Sequence, residues 1–292
     1  MIEYLLEPFS YQYMNNALLA GALVGSVCAF LSTYLVLKGW SLIGDALSHS
    51  VVPGVAVAYT LHLPLAVGAF FAGFLAAGSM AIIKQLSHLK EDAIIGLVFT
   101  SFFALGLLII SLNPTSINIQ AVIFGNILMI TQSELLQILI ISVSTFVIIG
   151  LFWKPLLLVF FDENQAATTG ISARGFKLLF FVLLSACTVA SLQAVGALLV
   201  IAMVIIPGAS AYLLSDRFGV MLIISTLFGL VTSLVGVYLS YFWDTSTGGL
   251  IVLSQVSIFA TALLFAPKYG LLNSHHRQAR SLNKLLSGIK HA

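Results

Sequence analysis

The chain has 292 residues, 60% of them hydrophobic and only 8% charged, with a formal net charge of +2. Soluble domains carry about 25% charged residues, and even large ones leave roughly a quarter of the chain's surface in water. A soluble protein is therefore excluded, and the chain is expected in a membrane. The first residues, MIEYLLEPFSYQYMNN, hold Glu3 and Glu7 and no basic residue. A secretory signal opens on a positive segment, so a cleaved signal peptide is not expected. Cys28 and Cys187 lie in apolar runs, as small packing residues rather than a disulfide pair.

A spanning helix needs about 20 mostly apolar residues. Tyr13–Leu37 is the first such stretch and Lys38 ends it. Ser41–Leu61 is the second, closed by His62-Leu63-Pro64, because proline disfavours helix at the residue before it. Leu65–Leu86 and Ala93–Leu112 follow, separated by the polar turn 87–92. The uncharged, turn-rich segment Asn113–Gln120 leads to Ala121–Ile130, which is apolar but too short to cross and suggests an interfacial or re-entrant segment. Leu135–Trp153 is the fifth span, and Lys154–Lys177 is the longest polar stretch of the interior chain. Leu178–Ser215 would be about 57 Å long as one helix at 1.5 Å per residue, too long for any bilayer. It must be two spans, with the break near Gln193–Gly196. Val220–Trp243 and Thr245–Ala266 complete an all-α, polytopic membrane protein of nine spans. Eight is the alternative if the sixth and seventh form a kinked or re-entrant pair.

Positive charges set the orientation of such a chain. With the N-terminus outside, the inner connections hold Lys38, Lys84, Lys90, Lys154, Arg174, Lys177, Arg217 and the C-terminal tail, which together are all 12 Lys and Arg. The outer connections hold only the acidic Glu3, Glu7, Glu134 and Asp244. The division expected is a transmembrane domain over 1–267 and a basic inner tail over 268–292. The tail carries His275, His276 and His291. It reads first as a segment drawn to anionic lipid headgroups, and second as a metal-sensing tail. No phosphate loop of the GxxxxGK type occurs, so the chain does not hydrolyse a nucleotide itself, and nothing in it suggests a nucleic-acid partner.

The second span contains KGWSLIGDALSHSVVPG, with Asp45 and His49 four residues apart. On a helix that spacing puts both side chains on one face. Ionisable groups inside a bilayer are costly and mark function. A carboxylate beside a neutral imidazole suits a divalent transition metal such as manganese, iron or zinc. Two ligands are too few for a resident metal but suit a transported one, which must also leave. Ser48 and Ser50 are candidates to support the pair by hydrogen bonds. The competing reading is an Asp–His hydrogen bond that only joins two helices. Proteolytic chemistry lacks the His-Glu-x-x-His run it would need, and no Gly-x-Ser-x-Gly elbow lies near a histidine. Gly21, Gly25, Gly68, Gly73, Gly229 and Gly236 mark close helix contacts, within one chain or between subunits.

Four stretches resemble the permease subunits of bacterial ABC importers for manganese, iron and zinc: Leu35–Tyr59, Leu89–Ile109, Phe160–Ile171 and Val195–Phe218. KGWSLIGDALSHS and SLNPTSINIQ look most like the iron and manganese branch of Gram-negative bacteria. The resemblance implies a type II importer permease of the inner membrane, paired with a second permease chain of the same or a homologous kind. A periplasmic binding protein would deliver the ion, and separate ATPase subunits would drive transport. It also implies no resident cofactor, Asp45 and His49 as pathway ligands, and a short helix after a proline turn that docks on the ATPase. That helix maps onto Pro207, Gly208, Ala209, Ser210, Ala211 and Arg217. Asp162, Glu163 and Arg174 would form a secondary contact on the same side. The rivals are a permease for an iron chelate or haem and, from another class, a self-sufficient ion-coupled carrier. The latter commonly shows two matched halves, for which no internal repeat is evident.

Overall fold

The computed structural model describes residues 2–40, 42–112, 127–266 and 270. The segment 113–126 and the tail from 271 lie outside them, and with them most of the expected interfacial segment 121–130 and of the basic tail; the last part of the interfacial segment, Ile127–Met129, forms a 3-10 turn. The described chain is helical, with no strand. A short α1 (Ile2–Leu6) precedes α2 (Gln12–Lys38), α3 (Leu42–Ser50) and α4 (Val52–Thr60). Then come α5 (Leu65–Leu86), α6 (Glu91–Leu112), α7 (Gln132–Phe161) and a two-turn α8 (Glu163–Thr168). The chain closes with α9 (Ala173–Val195), α10 (Ala197–Leu214), α11 (Phe218–Trp243) and α12 (Thr247–Phe265). Counting α3 and α4 together, nine stretches among the described residues are long and apolar enough to cross a membrane. The break between the sixth and seventh falls at Gly196 (φ 83°, ψ 161°), a backbone shape that glycine adopts without steric cost.

Helix α2 is the axis of the bundle. It packs on α10, α11 and α7, and Ala17, Val24, Cys28, Leu31, Tyr34 and Leu35 on it are fully enclosed. Small residues set the closest approaches. A Cβ on Gly25 would lie 2.5 Å from the Gly229 carbonyl oxygen of α11, and one on Gly54 of α4 would lie 2.0 Å from the Gly68 carbonyl oxygen of α5. Gly73 faces Ser185 of α9, and Gly236 faces Ile251 of α12. The glycine pattern is thus accounted for inside one chain, where dispersion and small-residue packing replace the hydrophobic effect that lipid cannot supply.

Two expected spans differ in shape. The second is broken at Val51. Pro53 has no N–H to return to the His49 carbonyl, so the ladder stops there and restarts. The fifth runs on to Phe161, eight residues past the expected end. Pro155 does not stop it but kinks it, and Phe152 leaves helical geometry (φ −104°, ψ 17°). Its start is a capping box in which the Thr131 side chain accepts from the Glu134 N–H and the Glu134 carboxylate accepts from the Thr131 N–H.

Candidate metal pathway and the charged end of the bundle

Asp45 lies in the first turn of α3 and His49 in the last. That order suits the helix dipole, with an anion near the amino end and an imidazole near the carboxyl end. The His49 Nε2 atom is 3.5 Å from Asp45 Oδ1. Both side chains remain partly open, His49 at 26% and Asp45 at 42% exposure. One face of α3 is pressed into the bundle: Gly44 sits against Val204 of α10, and Ile43, Ala46 and Leu47 are buried. The imidazole meets the edges of Phe99 and Phe103 on α6 at 5.4 and 5.7 Å. These rings hold it on the open side beside the carboxylate. Among the described residues no group of three or more His, Cys, Asp or Glu comes together, so no third such side chain among them joins Asp45 and His49.

The serines expected to support the pair do not do so by hydrogen bonding. The Ser48 hydroxyl donates to the Gly44 carbonyl one turn back, at 2.9 Å. Ser50 is buried with its hydroxyl unpartnered. Ser50, five residues past Asp45 and next to His49, lies off the Asp45/His49 face. Ser48, three residues past Asp45, borders that face, but its hydroxyl is committed to its own backbone.

The expected docking helix at Pro207–Arg217 is also corrected. Pro207 lies inside α10, which runs unbroken to Leu214. Pro207, Gly208, Ser210 and Ala211 are buried. The Gly208 N–H donates to the Ser32 hydroxyl of α2 at 3.1 Å, and that hydroxyl donates to the Ile205 carbonyl at 3.2 Å. The Ser32 hydroxyl thus serves a ladder that Pro207 disturbs, and Gly208 admits α2 at close range. Ala209 is half-buried, and Arg217, beyond the helix, is exposed.

The residues of the secondary contact stand out instead. Asp162 caps α8 by accepting from the N–H groups of Asn164 and Gln165 at 2.9 and 3.1 Å. Only Ala166 of α8 is fully buried, and Asn164, Gln165, Ala167 and Thr168 face outward. Glu163 accepts from Lys177 of α9 and lies 3.6 Å from Lys38 at the end of α2. Burial alone would raise the Glu163 pKa. The hydrogen bond from Lys177 and the charges of Lys177, Lys38 and Lys84 outweigh it and hold the carboxyl below its ordinary value. Nearby, Lys84 of α5 pairs with Glu91 of α6, which also accepts from the Trp40 indole N–H. Trp40 is buried, stacked on Phe181 of α9 with centroids 5.4 Å apart. Trp40 stands directly before α3, so this ion cluster links the helix carrying Asp45 and His49 to α8. Of the cluster, only Glu163 is a contact residue expected from the sequence; Lys38, Lys84 and Lys177 enter there only as charges that orient the chain. The remaining signal was there in the charges at helix ends, but nothing said which ends meet.

Residues 10–266 match the model of the ABC 3 transport family. The chain belongs to that family. It is 60% identical over 277 residues to the Yersinia pestis chelated iron transport system membrane protein YfeC, covering 95% of this chain and 94% of the relative. It is 44% identical to the manganese transport system membrane protein MntB of Synechocystis, over 96% of this chain and 92% of that one. Among solved structures it resembles PsaBC from Streptococcus pneumoniae in complex with Fab. The TM-score is 0.82 at 34% identity, covering 92% of this chain and 98% of that one. The chain is thus a multi-pass membrane permease of an ABC transporter, and ATP hydrolysis belongs to a separate subunit.

Proposed function

We propose that this permease carries a divalent transition metal ion, manganese or iron, into the cytoplasm, and that Asp45 and His49 ligate the ion on its way. The observation that carries the reading is the pair itself. An anionic oxygen and an imidazole nitrogen stand 3.5 Å apart on a broken helix within a bilayer span, both partly open. Names of the relatives, for chelated iron and for manganese, favour the same two metals. An oxygen beside a borderline nitrogen favours a divalent cation over a monovalent one. Two protein ligands leave most of a metal's coordination positions free. Water would fill them, or the same pair from a second permease chain facing this one. Weak, incomplete ligation is what a carried ion requires.

The N-terminus lies outside and the bundle end bearing Lys38, Lys84, Arg174 and Lys177 lies in the cytoplasm, as the one-sided distribution of positive charge favours. The ATPase subunit docks there on α8. Its short exposed surface, anchored by Ala166 and by the Glu163–Lys177 contact, leads through the ion cluster to Trp40 and α3. A binding protein delivers the ion at the opposite face. The test is uptake of radiolabelled Mn²⁺ and Fe²⁺ into cells whose own permease has been replaced by this one. Uptake that survives in both Asp45→Asn and His49→Ala overturns the ligand assignment. Competition separates the free ion from a chelate: a bare divalent ion should displace the label, whereas uptake of a chelate would ignore it.

A further inference from the structure

Helices α5 and α9 touch near their middles and splay apart toward the basic end of the bundle. At the contact, Gly73 leaves room for Ser185, whose hydroxyl points to the Phe70 carbonyl at 3.5 Å. From there toward Lys84 and Arg174 a cleft of about 610 Å³ opens between the two helices. That volume lies within the range of about 300–1,000 Å³ found for ligand sites. Its walls are apolar: Ala77, Gly78 and Ala81 on α5, and Leu178 and Phe181 on α9. A Cβ added to Gly78 would meet nothing within 4 Å, so the slot is open at that glycine. Ile82 and Leu178 at the edge are 58% and 52% exposed, so the cleft communicates sideways with the surroundings of the bundle.

The mouth is cationic. Lys84, Arg174 and Lys177 line it, with Lys38 just behind Glu163. Two carboxylates stand among these four cations, and both are already engaged. Glu91 serves Lys84 and Trp40, and Glu163 serves Lys177 and Lys38. Arg174 is exposed and has no ion-pair partner among the described residues. The mouth therefore keeps surplus positive charge at the level of the membrane surface. Below it, the wall from Lys84 back to Phe74 spans ten residues of α5, about 15 Å of rise. That is about half of a 30 Å hydrocarbon core.

We infer that this cleft binds one anionic glycerophospholipid of the cytoplasmic leaflet, its phosphate at Lys84, Arg174 and Lys177 and an acyl chain along Gly78. Depth decides between lipid and protein as occupant. A soluble ATPase subunit meets the headgroup level, whereas the slot descends into hydrocarbon, where an acyl chain already is. Charge decides the headgroup, because basic pockets between helices on this side select anionic lipids. The bound phosphate would brace the ion cluster that connects α8 with Trp40, so lipid composition would tune the permease. The placement in the cytoplasmic leaflet rests on the orientation proposed above; the binding itself does not.

The test uses the full-length permease, delipidated in mild detergent and offered phosphatidylglycerol, phosphatidylcholine or soluble glycerol phosphate, with retention read by native mass spectrometry. Phosphatidylglycerol should be retained in preference to phosphatidylcholine, and glycerol phosphate alone should not be retained. Arg174→Gln should lower phosphatidylglycerol retention about fivefold, the worth of one basic residue at the surface. Gly78→Leu, which fills the slot and leaves every charge, should lower it as well. Equal retention of the two lipids, or loss in neither variant, overturns the site. Binding of glycerol phosphate that Gly78→Leu does not affect also overturns it, in favour of a free phosphate. Retention does not depend on transport, so failure here leaves the Asp45/His49 assignment standing, and the converse holds.

Discussion

The contact between α2 and α11 and the contact between α5 and α9 are built from similar residues and end differently. In the first, Gly25 and Gly229 put backbone on backbone, each within 2.5 Å of where the other's Cβ would be. Ser225 adds a hydrogen bond at 2.6 Å to the Ala29 carbonyl, and Ser233 fills the remaining space beside Gly25. In the second, one glycine–serine contact at Gly73 and Ser185 is followed by divergence, and Gly78 faces open space. The first seam has no slack and suits a scaffold. The second leaves room, and the charges at its open end pair with other helices, Lys84 with Glu91 of α6 and Lys177 with Glu163 of α8. Asp45 and His49 lie on the second side, on a helix already broken at Val51. The difference teaches that a small residue in a membrane helix signals close approach only when its partner helix brings another small group to the same depth.

The largest effect should come from the pathway itself. Asp45→Asn or His49→Ala should reduce metal uptake to the level of cells lacking the permease, with unchanged amounts of protein in the membrane, as measured by uptake and quantitative blotting.

Next is the seam. Gly25→Leu should abolish recovery of folded permease, since its Cβ alone collides with the Gly229 carbonyl. Gly25→Ala should cost about 1–3 kcal/mol, as overpacking does. Gly78→Ala should be neutral or stabilising by up to about 1 kcal/mol, because helical glycine is unfavourable relative to alanine. Thermal unfolding in detergent compares the three, and equal losses at positions 25 and 78 would erase the contrast between the two contacts.

A smaller effect concerns Glu163. Its folded pKa is depressed, so its contribution is fully present above its ordinary value of 4.5 and is lost as pH falls through the lower folded value. Wild type should lose stability between neutral and strongly acidic pH by more than Glu163→Gln does. The side chain is 40% exposed, so solvent screening keeps the difference modest. Glu163→Gln should weaken co-purification of the ATPase subunit more than Arg217→Gln, which sharpens the choice of α8 over the end of α10.

The smallest is Trp40→Phe, which keeps stacking on Phe181 but removes the indole donor to Glu91. It should cost about 1 kcal/mol, the net worth of a typical hydrogen bond, and should lower transport less than either ligand substitution.

Composition and hydropathy determined the membrane class, the number of spans and the segregation of basic residues, because a bilayer imposes length and polarity on each segment separately. The Asp45/His49 spacing likewise determined that the pair shares a helix face, since helical geometry is local. What each face meets was decided by the tertiary structure. Ser48 is spent on the Gly44 carbonyl. Gly208 is filled by Ser32 from a helix 176 residues away in sequence, so residues that read as a docking surface became an internal contact. Lys154 read as the start of a polar stretch that ends the fifth span, yet the helix runs on through a kink at Pro155 to Phe161, because neighbouring helices hold the chain on both sides of it. The ion cluster was spelled out in the charges of Lys38, Lys84, Glu91, Glu163 and Lys177. Opposite charges far apart in sequence have no preferred partner until the bundle brings their helix ends to one place, and only packing chooses which ends those are.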